Sequence, residues 1–315
     1  MKLQGKFLNP FASSIRKQLF HFLLWKLGFY ADSPDQKLKE KDFLYPLSLP
    51  SFDERGPSCV WINHSTFLVE AGGFSFLTDP TFSHRCSPVQ MIGPKRHHAP
   101  ALSIEAIHKV NFVLISHNHY DHLDRDSIIK LYRTHPDIVW IVPLGVKKWF
   151  LKRGIEKVVE LDWWESFSQD ALRIVCVPAQ HFSGRYLLDL NDTLWAGFVV
   201  EVAGKKFYFS GDTGYNAHDF KKIGEIWNGI DLSLIPIGAY RPKQFMQPVH
   251  VDPQEAVRIH QDVKSQFSIG MHWKTFRLAE EPMQRPPYDL YLAMKEAKLD
   301  PKSFIAIDPG IYVNW

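Results

Sequence analysis

Residues 111–116, Asn-Phe-Val-Leu-Ile-Ser, make an apolar run of buried-strand length, and His117-Asn118-His119-Tyr120-Asp121-His122 follows at once. Three imidazoles and a carboxylate within six residues make a poor core segment, because each buried polar group left unsatisfied costs about 1–3 kcal/mol. On a loop beyond a strand's carboxyl end, where α/β sheets carry their sites, the same side chains can converge on a cation. His117 and His119 project to one side of an extended segment, while Asp121 and His122 curl back toward a second position. Neutral imidazole and carboxylate oxygen are ligands that zinc, manganese and iron accept. The segment therefore asks for a fold that gathers strand ends at one rim.

The rest of the chain supplies such strands. Residues 59–62, 66–70 and 74–78, the last two joined by Ala71-Gly72-Gly73, read as consecutive strands around a tight turn. Further strands are predicted at 138–142, 157–161, 171–177, 194–202, 205–210, 231–236 and 303–307. Helices are predicted at 124–134, 252–264 and about 287–298. The second opens Asp252-Pro253-Gln254-Glu255, an N-cap, a proline at the first helical position and a glutamate closing a capping box. Strands arrive early and helices are interspersed later, which suits sheets covered by helices better than an all-β barrel. One α/β domain over 58–315 is the economical reading.

Residues 1–57 read differently, as an apolar and basic segment followed by an extended arm. Lys2, Lys6, Arg16 and Lys17 precede the apolar run 19–25, but no small-x-small cleavage site follows. The run is also shorter than the roughly 20 residues a spanning helix needs. Two readings stay open: a helix packed on the body, or an interfacial helix with Phe22, Trp25 and Phe29 toward lipid. Lys plus Arg number 37 against 34 for Asp plus Glu, a formal charge of +3 that does not by itself imply nucleic-acid binding. Cys59, Cys86 and Cys176 lie far apart and read as buried thiols of a reducing compartment, with no zinc–thiolate site.

Histidine is the unusual residue, at 15 copies, and His181 or His272 taken alone reads as an ordinary partly buried histidine. Asp79 reads as a partner holding a ligand histidine in place. His64 either lines the site or merely finishes its strand. His97 and His98 read as a solvated loop, and His135 and His260 as surface residues of helices.

His-x-His-x-Asp-His after an apolar strand resembles the signature of the metallo-β-lactamase superfamily of di-metal hydrolases. Longer segments are similar to its N-acyl-phosphatidylethanolamine phospholipase D branch: Thr78-Asp79-Pro80, Gly93-Pro94-Lys95-Arg96, Glu160-Leu161-Asp162-Trp163-Trp164, Gly211-Asp212-Thr213-Gly214-Tyr215, Ile235-Pro236-Ile237-Gly238-Ala239-Tyr240 and His250-Val251-Asp252-Pro253-Gln254-Glu255-Ala256. The similarity runs from about 58 to 312. It implies a four-layer αβ/βα sandwich, two sheets flanked by helices, with the metal site at one edge. It implies two zinc ions, with manganese or iron as alternatives: one held by His117, His119 and His181, the other by Asp121, His122 and His272, with Asp212 bridging. Tyr120 and His250 match positions that contact the lipid in that family. The arm and Phe182-Ser183-Gly184-Arg185 depart from the pattern.

The implied activity is cleavage of N-acyl-phosphatidylethanolamine-type phospholipids to N-acylethanolamine and phosphatidate by a hydroxide held between the metals. Two divalent cations bring about +4, two carboxylates remove about 2 and a hydroxide one more, so about one positive charge remains for an anionic phosphodiester. His250 is a candidate to orient the phosphate or assist the leaving group, and Asp121 to take the nucleophile's proton. Two other readings stand beside this one: a di-metal hydrolase of a soluble phosphodiester or lactone, and an inactive metal-binding protein attached to a membrane. The expected partner is phospholipid at a membrane surface rather than nucleic acid, a homodimer is left open, and the expected location is cytoplasmic and peripheral to the membrane.

Overall fold

Alternation with period two sends the strands' side chains into two different cores. Trp61, Phe67, Val69, Phe76, Phe112 and Leu114 join one cluster, while their neighbours Val60, Ile62, Leu68, Leu77 and Val113 join the other. The computed structural model describes residues 2–3, 5–11, 43, 56–186 and 188–315. The expected helix near 19–25 and most of the arm lie outside the described residues.

A short hairpin of β1 (Lys2–Leu3) and β2 (Lys6–Phe7) comes first. Then follow β3 (Ser58–Asn63), β4 (Thr66–Ala71), β5 (Phe74–Thr78), β6 (Phe112–Leu114), α1 (Arg125–Thr134), β7 (Val139–Pro143), α2 (Lys147–Leu151) and β8 (Val158–Leu161). The second half holds β9 (Ser166–Gln169), β10 (Leu172–Val177), β11 (Gly197–Val202), β12 (Lys205–Phe209), α3 (Ala217–Trp227), β13 (Ile230–Pro236), α4 (Lys243–Met246) and α5 (Pro253–Asp262). It closes with β14 (Ser265–Met271), α6 (Arg285–Glu296), β15 (Phe304–Ile305) and β16 (Tyr312–Asn314).

Two mixed sheets of seven strands result, ordered β16-β3-β4-β5-β6-β7-β8 and β15-β14-β13-β12-β11-β10-β9. Each is antiparallel at one end and parallel at the other. They face each other through aromatic rings: Phe76 meets Phe207 at 5.2 Å between centroids, and Phe112 meets Phe167 at 5.9 Å. Ile128 and Leu131 of α1 and Phe150 of α2 cover the outer face of the first sheet. Helices α3, α5 and α6 add Phe220, Ile223, Ile259 and Leu290 to the large core, with α5 packed on β13 and β14. This is the expected four-layer αβ/βα sandwich of the metallo-β-lactamase fold.

Sequence and structure differ at the margins. The 111–116 run is a strand over 112–114, with Asn111 and Ile115 still bonded to the Ser75 and Ile141 carbonyls at its ends. The 194–202 run becomes a strand at 197, its first residues packing with Phe7 and Ala179 instead. The capping box of α5 is present, with both the Asp252 and Glu255 side chains engaged. No helix among the described residues is long and apolar enough to cross a membrane.

Candidate metal centre

Within the first sheet β3, β5 and β6 run the same way, and within the second β10, β12 and β14 do, because two antiparallel steps restore direction. Past the carboxyl ends of these strands lie His64, Asp79 and the 117–122 segment from one sheet, and His181, Asp212 and His272 from the other. The backbone is strained there: His64 (φ 45°), Asp79 (φ 30°) and His272 (φ 62°) are non-glycine residues in the left-handed region. At Gly211 (φ +61°) the loop crosses so closely that an added Cβ would sit 2.6 Å from Ser116 Cβ.

Two groups of side chains form. In the first, His119 Nδ1 stands 2.7 Å from His117 Nε2 and 3.2 Å from His181 Nε2. His181 Nδ1 donates to the Val249 carbonyl at 2.9 Å and His117 Nδ1 meets Ser116 Oγ at 2.8 Å, which turns both Nε2 atoms inward. In the second, Asp121 Oδ2 is ringed by His64 Nε2 at 3.0 Å, His122 Nε2 at 3.3 Å and His272 Nε2 at 3.4 Å. Asp212 Oδ2 lies between the groups, 3.1 Å from His122 Nε2, 3.0 Å from His272 Nε2 and 3.8 Å from His181 Nε2. His250 Nδ1 approaches the same oxygen at 4.0 Å.

Buried polar atoms usually have partners. Here His122 Nε2, both ring nitrogens of His272, His250 Nδ1 and Asp212 Oδ1 are buried without a hydrogen bond. Orphaned nitrogens and carboxylate oxygens gathered on one space suit a cation, and each residue of His117–His119–His181 and of His64–Asp121–His122–His272 offers a donor atom to a shared position.

Electrostatics divides the imidazoles. Burial holds His117 and His181 well below the ordinary histidine range and His119 and His250 down at about 4, so these rings are neutral near pH 7. Burial also opposes charge on His122 and His272, but Asp212 and Asp121 outweigh it, lifting His122 well above that range and His272 to about 9. Desolvation would raise Asp121 and Asp212, yet the neighbouring imidazoles hold both well below the carboxylate range.

The candidates His117, His119, Asp121, His122, His181, Asp212, His250 and His272 all come together, and Tyr120 sits half-buried at the edge with the Arg185 guanidinium 3.9 Å above its ring. Asp79 lies behind, its carboxylate taking His122 Nδ1 at 2.6 Å and the Ser116 amide at 2.7 Å. His64 lines the site rather than ending a strand idly: its amide donates to Thr275 Oγ1 at 2.7 Å, which fixes the loop. The position just past β3 was the available signal. His260 corrects the expectation of a surface residue: it is buried, its Nδ1 2.8 Å from Ser268 Oγ, because α5 turns that face onto β14. The Lys95–His98 stretch is also less solvated than expected, for Arg96 is buried and His98 Nε2 meets Thr275 Oγ1 at 2.9 Å. Cys59, Cys86 and Cys176 are free and buried, as expected. Beside the centre opens a groove of about 820 Å³ lined by Asn118, Tyr120, Trp149 and Arg185.

Paired mixed sheets with imidazoles and carboxylates meeting at their shared rim define a metal-dependent hydrolase of the metallo-β-lactamase fold. The chain belongs to the beta-lactamase superfamily, whose domain model matches residues 75–273. It is 40% identical over 268 residues to the N-acyl-phosphatidylethanolamine-hydrolyzing phospholipase D 1 of Caenorhabditis elegans, covering 82% of this chain and 75% of that protein. It is 35% identical over 244 residues to the mitochondrial N-acyl-phosphatidylethanolamine-hydrolyzing phospholipase D of Saccharomyces cerevisiae, covering 74% of this chain but only 52% of the yeast protein. Among solved structures it is similar in fold to Igni18, a metallo hydrolase of Ignicoccus hospitalis, with a TM-score of 0.63 at 21% identity, covering 82% of this chain and 98% of that one.

Proposed function

We propose that this chain is a two-zinc phosphodiesterase that cleaves N-acyl-phosphatidylethanolamine at a membrane surface, releasing N-acylethanolamine and leaving phosphatidate. The single observation that carries the reading is the doubled imidazole cluster with Asp212 Oδ2 between its halves. The activity named for the worm and yeast relatives supports the choice of lipid.

In this reading His117, His119 and His181 would hold one ion and Asp121, His122 and His272 the other, with Asp212 available to both; His64 stands against Asp121. When bound, the metals supply Lewis-acid activation of water and of a phosphoryl oxygen. The chain's own groups do the rest. Two ionised carboxylates against about four metal charges leave the pocket positive, which favours a phosphodiester over a neutral amide or lactone. Asp121 is ionised and placed to accept the proton of the attacking water. His250, neutral and facing Asp212, is placed to hydrogen-bond and orient a phosphoryl oxygen. Tyr120, clamped under Arg185, lines the groove next to the ligand-bearing 117–122 segment and in this reading meets the lipid headgroup.

Turnover in heavy-oxygen water tests the reading. Label is expected in phosphatidate, with rapid cleavage of N-acylated phosphatidylethanolamine in mixed micelles and none of water-soluble diesters. Label in the alcohol overturns the direction of attack, and the reverse substrate preference overturns the lipid reading. Metal analysis is expected to find about two zinc ions per chain.

A further inference from the structure

We propose that Arg185 is a positioning residue of the metal centre: its guanidinium clasps the 117–122 turn from outside and so holds His119 in place. This role rests on the two-metal function proposed above. Three of the other imidazoles show what support looks like here. His117 Nδ1 meets Ser116 Oγ at 2.8 Å, His122 Nδ1 meets Asp79 Oδ2 at 2.6 Å and His181 Nδ1 donates to the Val249 carbonyl at 2.9 Å. Each of these rings has its outer nitrogen fixed, which fixes the inner one. The Asp121 backbone is anchored too, its carbonyl accepting Thr81 Oγ1 at 2.8 Å. His119 differs. Its Nδ1 faces the centre, and among the described residues no hydrogen bond holds its other nitrogen. Outside the centre Phe182 packs edge-on against the ring, at 4.5 Å between centroids. The place of this ligand therefore depends on how firmly the backbone on either side of it is held.

Arg185 supplies that hold. Its Nη1 donates to the Asn118 carbonyl at 2.9 Å and to the Leu123 carbonyl at 2.7 Å, so one nitrogen ties the two ends of the turn. Asn118 and Leu123 are buried, and no backbone N–H among the described residues bonds either carbonyl. Without the guanidinium both acceptors lose their partner in a place where that is costly. The guanidinium also lies 3.9 Å from the centre of the Tyr120 ring, and the Gly184 amide donates to Asn118 Oδ1 at 2.8 Å. Both chain neighbours of His119 are thus gripped by the 184–185 step. That step belongs to the loop that begins with His181, so the clasp joins two ligands of the same ion across the two sheets.

The clasp is itself braced. Trp149 of α2 lies 5.7 Å from the Arg185 guanidinium, and Arg153 stacks on the same indole at 3.7 Å, its Nη1 donating to the Trp149 carbonyl at 2.7 Å. Arg153, Trp149, Arg185 and Tyr120 so alternate cation and ring along the groove wall. Arg185 forms no ion pair with a carboxylate among the described residues. Taking a guanidinium out of water without a counter-ion is costly, and here carbonyls and ring faces stand in for one. Arginine suits the task because a planar group bonds two carbonyls in its plane while its face rests on an aromatic ring; an ammonium does not do both.

The test uses the full chain and reads the metals directly. Zinc is titrated against a chromophoric chelator to give the affinity of each ion, and cobalt(II) in its place reports each site by visible absorption. Arg185→Lys and Arg185→Ala are expected to bind one of the two ions about 10–100-fold more weakly and the other within about threefold of wild type. The absorption of the weakened site should shift with the loss. Guanidinium ion at millimolar concentration should restore tight binding to Arg185→Ala, whereas ammonium should not. Trp149→Leu removes the brace and keeps the carbonyl bonds, so it should weaken the same ion by about two- to fivefold. Wild-type affinity for both ions in both Arg185 variants overturns the clasp. Equal weakening of both ions, or no recovery with guanidinium, makes Arg185 an ordinary structural residue and overturns it as well. Selective loss with recovery, in a protein that cleaves no phospholipid, supports the clasp and overturns the lipid reading instead. Wild-type binding of a single ion overturns the two-metal reading, and weakening of that ion in Arg185→Ala with recovery by guanidinium still supports the clasp.

Discussion

Asp79 shows how much of the site depends on a side chain that faces away from the cation position. Its carboxylate is fully buried and engages the Ser116 amide, the Ser116 hydroxyl and His122 Nδ1. The last bond fixes the His122 tautomer so that Nε2 turns inward. Asp79→Asn keeps an acceptor for Ser116 but presents an N–H to His122 Nδ1. We expect about a 10–100-fold loss of metal affinity, read by competition against a chromophoric chelator. Gly211 imposes a different constraint, since its positive φ and the approach to Ser116 Cβ leave no room for a methyl group. Gly211→Ala should cost about 1–3 kcal/mol in thermal unfolding, with the loss of metal following from displacement of Asp212. Unchanged stability in that variant would mean that the crossing of the two loops relaxes freely. Neither role was fully legible beforehand: the aspartate's place behind a histidine could be read from its neighbours, but the Ser116–Gly211 crossing joins segments 95 residues apart.

Helix α5 carries the clearest element-scale consequence. Its start was legible because Asp252, Pro253 and Glu255 act locally. Its buried face was not, because a histidine reads as polar until the strand beneath it is known. His260 packs on Phe304 at 5.6 Å between centroids and meets Ser268 Oγ, and burial lowers its pKa from 6.5 to about 4. Unfolded, the ring takes a proton first as pH drops. Stability from this group is therefore complete above pH about 6.5 and is lost as pH falls toward about 4, amounting to about 2 kcal/mol at pH about 5. His260→Gln should flatten the fall of melting temperature between neutral and mildly acid pH, whatever its absolute cost. An equal or steeper fall would place the acid sensitivity elsewhere. Other elements escaped sequence reading for related reasons. The α3 stretch holds Gly224, which looks like a helix breaker; it sits where an added Cβ would lie 2.0 Å from the Asp262 carbonyl at the end of α5. Strands β9 and β16 are short edges, and only the pairing of β9 with β10 and of β16 with β3 makes them strands.

At the scale of the molecule, the family resemblance implied two sheets with the site at one edge, and the place of each candidate after a strand or apolar stretch let all of them reach one rim. What pattern alone could not show is that the proposed ligands are divided between the sheets. His117, His119, Asp121 and His122 stand on the first; His181, Asp212 and His272 stand on the second. Bound metal would therefore tie the two sheets together at the rim, while Phe76–Phe207 and Phe112–Phe167 hold them together within the interface. Removing the ions deletes the tie and leaves orphaned imidazoles and carboxylates facing one another. A chelator should then lower stability by about 4 kcal/mol if the ions normally stand near a thousand times their dissociation constant. The loss should also have a place. Hydrogen exchange is expected to quicken at 117–122, 179–182, 212–215 and 272–275, while the amides of β5 and β12, where the rings interlock, stay protected. Quickening spread evenly over both sheets would show that the metals support the whole core. An unchanged melting temperature would show that they contribute nothing to holding the halves together. Restoration of both readouts by zinc would confine the effect to the rim.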